Sequence, residues 1–173
     1  MVKLSLKFVK DDKPEADRHP ELHTLDEKLY NSPAMALAVT MKAVADGGRL
    51  AKLNFERGCK VLAKYDPVLV AEINKDEDCI DQFTDNTDRF LIGLSKTVET
   101  ELDDRQLDML MQTVPNFERI GDYATNMVEL AQRLQSENAA FSDMAKKELA
   151  LITQAVNEIL EITVDAFSKD DNE

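Results

Sequence analysis

Apolar residues recur at three- and four-residue spacing through most of this 173-residue chain. One run, Ile80, Phe83, Phe90, Leu91 and Leu94, keeps a helical period over several turns. Glycine and proline are rare, with five of each, whereas folds built from strands use these residues in many turns. The pattern therefore predicts an all-α fold, an antiparallel up-and-down bundle of three to four helices.

The spacing predicts four helices, over residues 33–64, 67–99, 103–136 and 142–168. Ser32 and Asp66 each precede a proline, and a capping residue followed by proline is typical of a helix start. The polar stretch near residue 100 makes the second and third helices a tight antiparallel hairpin. In the fourth helix the expected buried seam is Leu149, Ile152, Val156, Ile159, Thr163 and Ala166.

Residues 1–32 differ from the rest, because they hold two of the five prolines and both histidines. They are predicted to form a linker or arm before a bundle over residues 33–173, and a frayed terminus is the alternative. The glycine pair Gly47-Gly48 interrupts the first helical block. It would either kink that helix or let a neighbour pack closely.

The charge balance excludes several classes of protein. With 21 basic and 34 acidic residues the net charge is −13, which argues against a nucleic-acid surface. No apolar stretch approaches the roughly 18 residues of a membrane span. Only Cys59 and Cys79 carry thiols, so a reducing, cytoplasmic compartment is the simplest interpretation. The motifs GxxxxGK, HExxH and GxSxG are absent, and neither thiol has an evident histidine partner.

Acidic residues concentrate in the predicted hairpin. Between residues 72 and 104 there are eleven acids and three bases. Two sets of residues four apart stand out, one in each helix of the hairpin. They are Glu77, Asp81 and Asp85 in the second helix and Glu118, Asp122 and Asn126 in the third. Like charges one turn apart repel by a few tenths of a kcal/mol per pair, so they are either well solvated or shared by a cation.

The register of the hairpin brings the two sets together. If the turn is centred between residues 101 and 102, Asp81 lies opposite Asp122, on one side of the apolar seam. The same register pairs Glu77 with Asn126 and Asp85 with Glu118. Oxygen-only ligands suit hard cations such as Mg, Ca, Mn or ferric iron. A solvated acidic face that binds no metal is the alternative.

Residues 116–126, which read NFERIGDYATN, resemble the PhoU family of phosphate-uptake regulators. Residues 77–81, which read EDCID, resemble the other E/D-x-x-x-D motif of that family, one helix upstream. The resemblance covers residue 32 to the C-terminus and implies a helical bundle that binds multinuclear metal. The matching ligands are Glu77, Asp81, Glu118 and Asp122, to which the spacing adds Asp85 and Asn126. It also implies a regulator, not an enzyme, acting beside a phosphate transporter and a sensor kinase.

Residues 25–34, which read LDEKLYNSPA, resemble the stretch that joins the transmembrane part of bacterial sodium-dependent phosphate cotransporters to a C-terminal PhoU-like domain. On this basis Lys3, Lys7 and Lys10 lie near the cytoplasmic face of the inner membrane. PhoU proteins commonly carry two three-helix units. This chain is expected to hold one complete unit and the first helix of another, as an excised or truncated domain would. The sequence leaves a homodimer open.

Three hypotheses follow. The leading one is a metal-binding PhoU-like regulatory domain of a membrane phosphate transporter, with no nucleic-acid partner. The second is a helical protein-interaction module whose acidic face is solvated. The third is a metal-dependent phosphate-processing enzyme, which is the weakest because the cluster offers no base or nucleophile apart from the ligands.

Overall fold

The structure, a computed structural model, describes residues 18–169. Within that range the chain forms four α-helices and no strand, which confirms the all-α prediction. The helices are α1 (Pro33–Ala63), α2 (Pro67–Leu94), α3 (Glu101–Ser136) and α4 (Asp143–Lys169). Within residues 18–169, none of the helices combines the length and the apolar character of a membrane span.

The helix ends follow local hydrogen bonding. Asp66 accepts a hydrogen bond from the Val68 amide at 2.9 Å, which caps α2 in the way that its sequence predicts. Ser32 occupies the N-cap position of α1, but its side chain makes no capping bond there. The predicted end of α2 near residue 99 is wrong. The Ser95 and Thr97 hydroxyls donate to the last carbonyls of the helix, those of Ile92 and Leu94, and the helix stops at Leu94.

The core lies between α1, α2 and α3, and α1 contributes the largest share of it. The adjacent glycines Gly47 and Gly48 of α1 each receive an aromatic ring from a different neighbour. A Cβ on Gly47 would lie 2.7 Å from Cε1 of Phe83 on α2, and a Cβ on Gly48 would lie 2.7 Å from Cζ of Phe117 on α3. The glycine pair therefore allows close packing, and α1 runs through it as a single helix.

Helix α4 stands at the edge of this three-helix core. It packs chiefly against α1, and near its C-terminal end the Phe167 ring meets Phe117 edge-on at 5.9 Å between centroids. Within α4, Leu160 and Val164 are buried. The predicted seam is wrong, because Ile152 and Ile159 are 61% and 62% exposed. The helix has two apolar faces, and α1 covers the one that carries Leu160.

Residues 18–32 run along α1 and α2 as an ordered segment, which we call the arm. It contains two short 3₁₀ helices, Pro20–Leu22 and Glu27–Asn31. Leu22 is buried, and the Tyr30 hydroxyl donates to the Phe90 carbonyl at 3.1 Å. These contacts dock the arm on α1 and α2. Lys3, Lys7 and Lys10 lie outside the described residues, and the domain boundary at residue 32 stays a prediction.

Candidate functional site

The α2–α3 hairpin gathers carboxylates on one side. Partial loss of water raises the pKa of Asp81, and the negative charge of Asp122 across the hairpin raises it further. The pKa of Glu118 is raised in the same way, first by burial and then by the charges of Asp122 and Asp81. These three side chains therefore share one electrostatic environment.

Glu77 is the innermost member of this group. Its side chain is only 9% exposed, and neither carboxylate oxygen has a hydrogen-bond partner among residues 18–169. Burial raises its pKa to about 7, and the charges of Asp81, Asp122 and Glu118 add to the effect. The negative charge of an ionised Glu77 is therefore poorly compensated by the side chains around it. A bound proton or a bound cation would compensate this charge.

Gly121 provides the space that Glu77 fills. A Cβ at position 121 would lie 2.9 Å from Oε2 of Glu77 and 3.2 Å from Cδ1 of Ile80. Asn54 of α1 lies nearby and lowers the pKa of Glu77, although its amide group donates to the Ile73 carbonyl at 3.0 Å and does not meet hydrogen-bond geometry with the carboxylate. Sequence reasoning missed Asn54. The feature that could have identified Asn54 is a polar residue at a buried position of α1.

The outer residues of the predicted set are less closely involved. Asp85 and Asn126 are both exposed, and the charge of Asp85 acts on Asp81 and on Asp88. Asp88, which the sequence analysis also missed, is half-buried, and its own charge raises the pKa of Glu118. It lies seven residues after Asp81, a spacing that keeps both on one face of α2. The contacts of Asp85 with Glu118 and of Asn126 with Glu77 stay predictions.

Among residues 18–169, no three His, Cys, Asp or Glu side chains are already arranged to hold a metal ion. The carboxylates therefore affect one another's pKa, but they do not converge in a metal-coordinating arrangement. Their chemistry still fits a hard cation, because all donors are oxygens and the buried carboxylate of Glu77 has unsatisfied atoms. Glu77, Asp81, Glu118 and Asp122 are the residues that would hold such an ion.

The residue before Glu77 shows the opposite behaviour. Asp76 is 1% exposed, and its carboxylate forms an ion pair with Arg57 of α1. Arg18 and His19 of the arm also approach it, each at 3.4 Å. The burial of Asp76 is therefore compensated by cationic and hydrogen-bonding groups. Sequence reasoning missed this cluster because Arg57 and the arm are distant in the chain.

The fold and the site together define an all-α protein built on a three-helix unit with an acidic hairpin. Comparison with protein families gives a match to the PhoU domain over residues 44–131, which is half of the chain and includes both acidic motifs. The chain therefore belongs to the PhoU domain family, and this membership indicates a regulatory role in phosphate uptake. No curated protein and no solved structure matches the chain significantly.

Proposed function

We propose that this chain is a metal-binding PhoU-like domain that regulates phosphate uptake, as the cytoplasmic C-terminal part of a sodium-dependent phosphate cotransporter. The family match supports the regulatory role. The resemblance of residues 25–34 to the joining segment of such cotransporters supports the attachment to a transporter. On this proposal the domain works at the inner face of the membrane and acts on the transporter in cis, with a sensor kinase as a further partner.

One observation supports metal binding above the others. Glu77 is a buried carboxylate that has no hydrogen-bond partner among the described residues, and the charges of Asp81, Asp122 and Glu118 surround it. Removing such a group from water without a partner destabilises the folded state. A bound Mg, Ca, Mn or ferric ion would supply positive charge there and would draw the exposed carboxylates of the hairpin inward.

The arm offers a route from this site to a transporter. Arg18 and His19 approach Asp76, which directly precedes Glu77 on α2. A change in the position or charge of Glu77 therefore occurs one residue from the contact that fastens the arm. On the proposed attachment, the arm is the segment that leads from the membrane part of the transporter into α1.

Thermal melts of the full chain test the metal site. The protein is stripped with chelator and melted with Mg, Mn, Ca or ferric iron at fixed ionic strength. An ion that binds only the folded state adds about 2.7 kcal/mol at a hundred times its dissociation constant. We expect at least one ion to raise the melting temperature of the wild type, and the variant Asp81→Ala with Asp122→Ala to lose most of that rise.

A matched control removes the same charge elsewhere on the hairpin. Asp108 and Glu129 are exposed residues of α3 outside the cluster. The variant Asp108→Ala with Glu129→Ala should keep the full response to the ion. If none of the ions moves the wild-type melting temperature, or if both double variants respond alike, the metal site is wrong.

A second candidate function has an observation in its favour. Asp81, Asp85 and Asp122 are exposed, and no ready-made metal group exists among residues 18–169. Those facts favour a helical interaction module whose acidic face is solvated. Under that hypothesis the ions leave the wild-type melting temperature unchanged, so the same melts distinguish the two functions.

Phosphate uptake tests the attachment to a transporter separately. Sodium-dependent uptake of radiolabelled phosphate is measured in two strains. One strain carries the intact gene, and in the other the part of the gene that encodes residues 18–169 has been deleted. Loss of the response of uptake to external phosphate on removal of these residues supports the proposal. An unchanged response contradicts it, whatever the metal experiment shows.

A further inference from the structure

Asn54 is a polar residue in the interior of the bundle. It is 0% exposed, and Ala51, Gly58 and Val61, which lie on the same side of α1, are buried as well. A buried polar side chain is unfavourable unless its donors and acceptors have partners. The partners of its amide group therefore decide what Asn54 contributes.

The amide nitrogen of Asn54 is fastened to the turn of α2 that carries Glu77. Nδ2 donates to the carbonyl of Ile73 at 3.0 Å. In an α-helix the carbonyl of residue 73 also accepts from the backbone amide of residue 77, so this contact lies one turn before Glu77. Asn54 is close enough to lower the pKa of Glu77, against the effect of burial. Since the Ile73 carbonyl already has its helical partner, the extra hydrogen bond fixes the orientation of the Asn54 amide group.

Three buried oxygen atoms on these two side chains have no hydrogen-bond partner among residues 18–169. They are Oδ1 of Asn54 and both carboxylate oxygens of Glu77. All three are acceptors when Glu77 is ionised, so none of them can satisfy another. A proton on Glu77 supplies a single donor, whereas a cation takes several oxygen ligands at once. A cation therefore meets the shortage of donors more fully than a proton does.

We propose that Oδ1 of Asn54 is a further ligand of the cation that Glu77 binds. This inference rests on the proposed metal-binding function and adds a residue from outside the two acidic motifs. With a ligand on α1, the ion would tie that helix to the α2–α3 hairpin. An amide oxygen adds a ligand without adding charge, and carbonyl oxygens suit Mg, Ca and Mn. The ion is therefore a divalent one rather than ferric iron.

Calorimetric titration of the full chain, stripped with chelator, measures the role of Asn54. The variant Asn54→Leu replaces the amide by an apolar group with the same number of side-chain atoms, and the fold is checked by far-ultraviolet circular dichroism. Loss of an outer-shell partner alone weakens metal binding by about 10–100-fold, so loss of a ligand should raise the dissociation constant of Mg, Ca or Mn by at least about tenfold.

Two further variants serve as controls. Thr40 of α1 is also 0% exposed, and its hydroxyl donates to the Ala36 carbonyl at 2.7 Å. It lies 14 residues before Asn54, or about 21 Å along the helix, so Thr40→Val should keep the wild-type affinity. Asn54→Asp keeps an oxygen ligand at the position and should bind the ion at least as tightly as the wild type.

A measurement on the wild type avoids any effect of substitution on folding. In a titration with Ca or Mg, the carbon-13 signals of the Asn54 side-chain carbonyl and of the Glu77 carboxyl group are followed by NMR. We expect both signals to move and to reach saturation at the same ion concentration, because one ion contacts both groups.

The possible failures are distinguishable. A folded Asn54→Leu with wild-type affinity, or an Asn54 signal that stays still while that of Glu77 moves, would overturn this inference and leave the carboxylate site in place. A response to ferric iron alone that persists in Asn54→Leu would do the same. A wild type that binds none of the ions would overturn both this inference and the proposed metal-binding function.

Discussion

The carboxylate of Glu77 occupies the space that a side chain at Gly121 would need. A Cβ on Gly121 would lie 2.9 Å from Oε2 of Glu77, closer than such atoms pack. The glycine of α3 thus lets a carboxylate of α2 reach into the interface between the two helices. A glycine on the apolar stripe of α3 is therefore part of the candidate site, although it has no side chain to offer.

Substitution of Gly121 by alanine should displace Glu77. Alanine favours the helix by about 1 kcal/mol over glycine, whereas overpacking destabilises by about 1–3 kcal/mol. We expect Gly121→Ala to be less favourable in the wild type than in a Glu77→Ala background, where the carboxylate is gone and only the 3.2 Å approach to Cδ1 of Ile80 remains. Urea unfolding of the four proteins in this double-mutant cycle measures the coupling. Equal effects of Gly121→Ala in both backgrounds would show that the two residues do not compete for space.

The stability of the metal-free protein should fall as the pH rises through the range in which Glu77 loses its proton. Its pKa is raised from 4.5 to about 7 in the folded state, so the folded state binds this proton more tightly than the unfolded chain. The contribution of this proton to the free energy of unfolding is fully present below pH 4.5 and is lost as the pH rises through about 7. The change is about 3 kcal/mol. Glu77→Gln cannot titrate and should lack this part of the pH dependence.

Unfolding free energies in chelator between pH 4 and pH 8 check this expectation. Glu129 is an exposed residue of α3, so Glu129→Gln controls for the loss of one charge. It should follow the wild-type curve. Curves for Glu77→Gln and the wild type that stay parallel across the range would contradict a raised pKa at Glu77.

Much of this fold could be predicted from the sequence, because helical periodicity and proline-marked starts are local signals. The closeness of Asp81 and Asp122 could also be predicted from the spacing of the acids, and the charge of Asp122 does act on Asp81. The position of the turn was predicted too late in the chain, because the turn lies over residues 95–100 and not around residues 101 and 102. The distinct state of Glu77 could not be predicted, because it depends on Gly121 and on Asn54 of α1.

The two faces of α4 show the limit of periodicity. Its apolar residues form more than one stripe, and spacing alone does not decide which stripe meets the core. The structure buries Leu160 and Val164, while Ile152 and Ile159 of the predicted seam lie outside. The choice follows from packing against α1 and from Phe167 against Phe117, which are contacts between distant parts of the chain.

Neutralising the neighbours of Glu77 should lower its pKa. The charges of Asp81 and Asp122 add to burial in raising it, so Asp81→Asn with Asp122→Asn removes two of the causes and leaves the largest. We expect the pKa of Glu77 to move below its wild-type value of about 7 without reaching 4.5. Carbon-13 NMR titration of the side-chain carboxyl group in chelator measures it. An unchanged pKa would mean that Glu77 does not sense the two aspartates.

Asp76 should hold both the core and the arm. It is 1% exposed and pairs with Arg57, while Arg18 and His19 approach from the arm at 3.4 Å. Removing one partner of a buried ion pair destabilises by about 3–5 kcal/mol, since the other charge is left uncompensated. We therefore expect Asp76→Ala to lose stability in urea unfolding by about that amount and to make residues 18–32 more sensitive to limited proteolysis.

Glu72 provides the control. It also pairs with Arg57, at 3.6 Å, but is 40% exposed, so Glu72→Ala should change stability by about 1 kcal/mol or less and leave the arm protected. Equal losses of stability in the two variants, or an arm that stays protected in Asp76→Ala, would show that Asp76 does not fasten this segment.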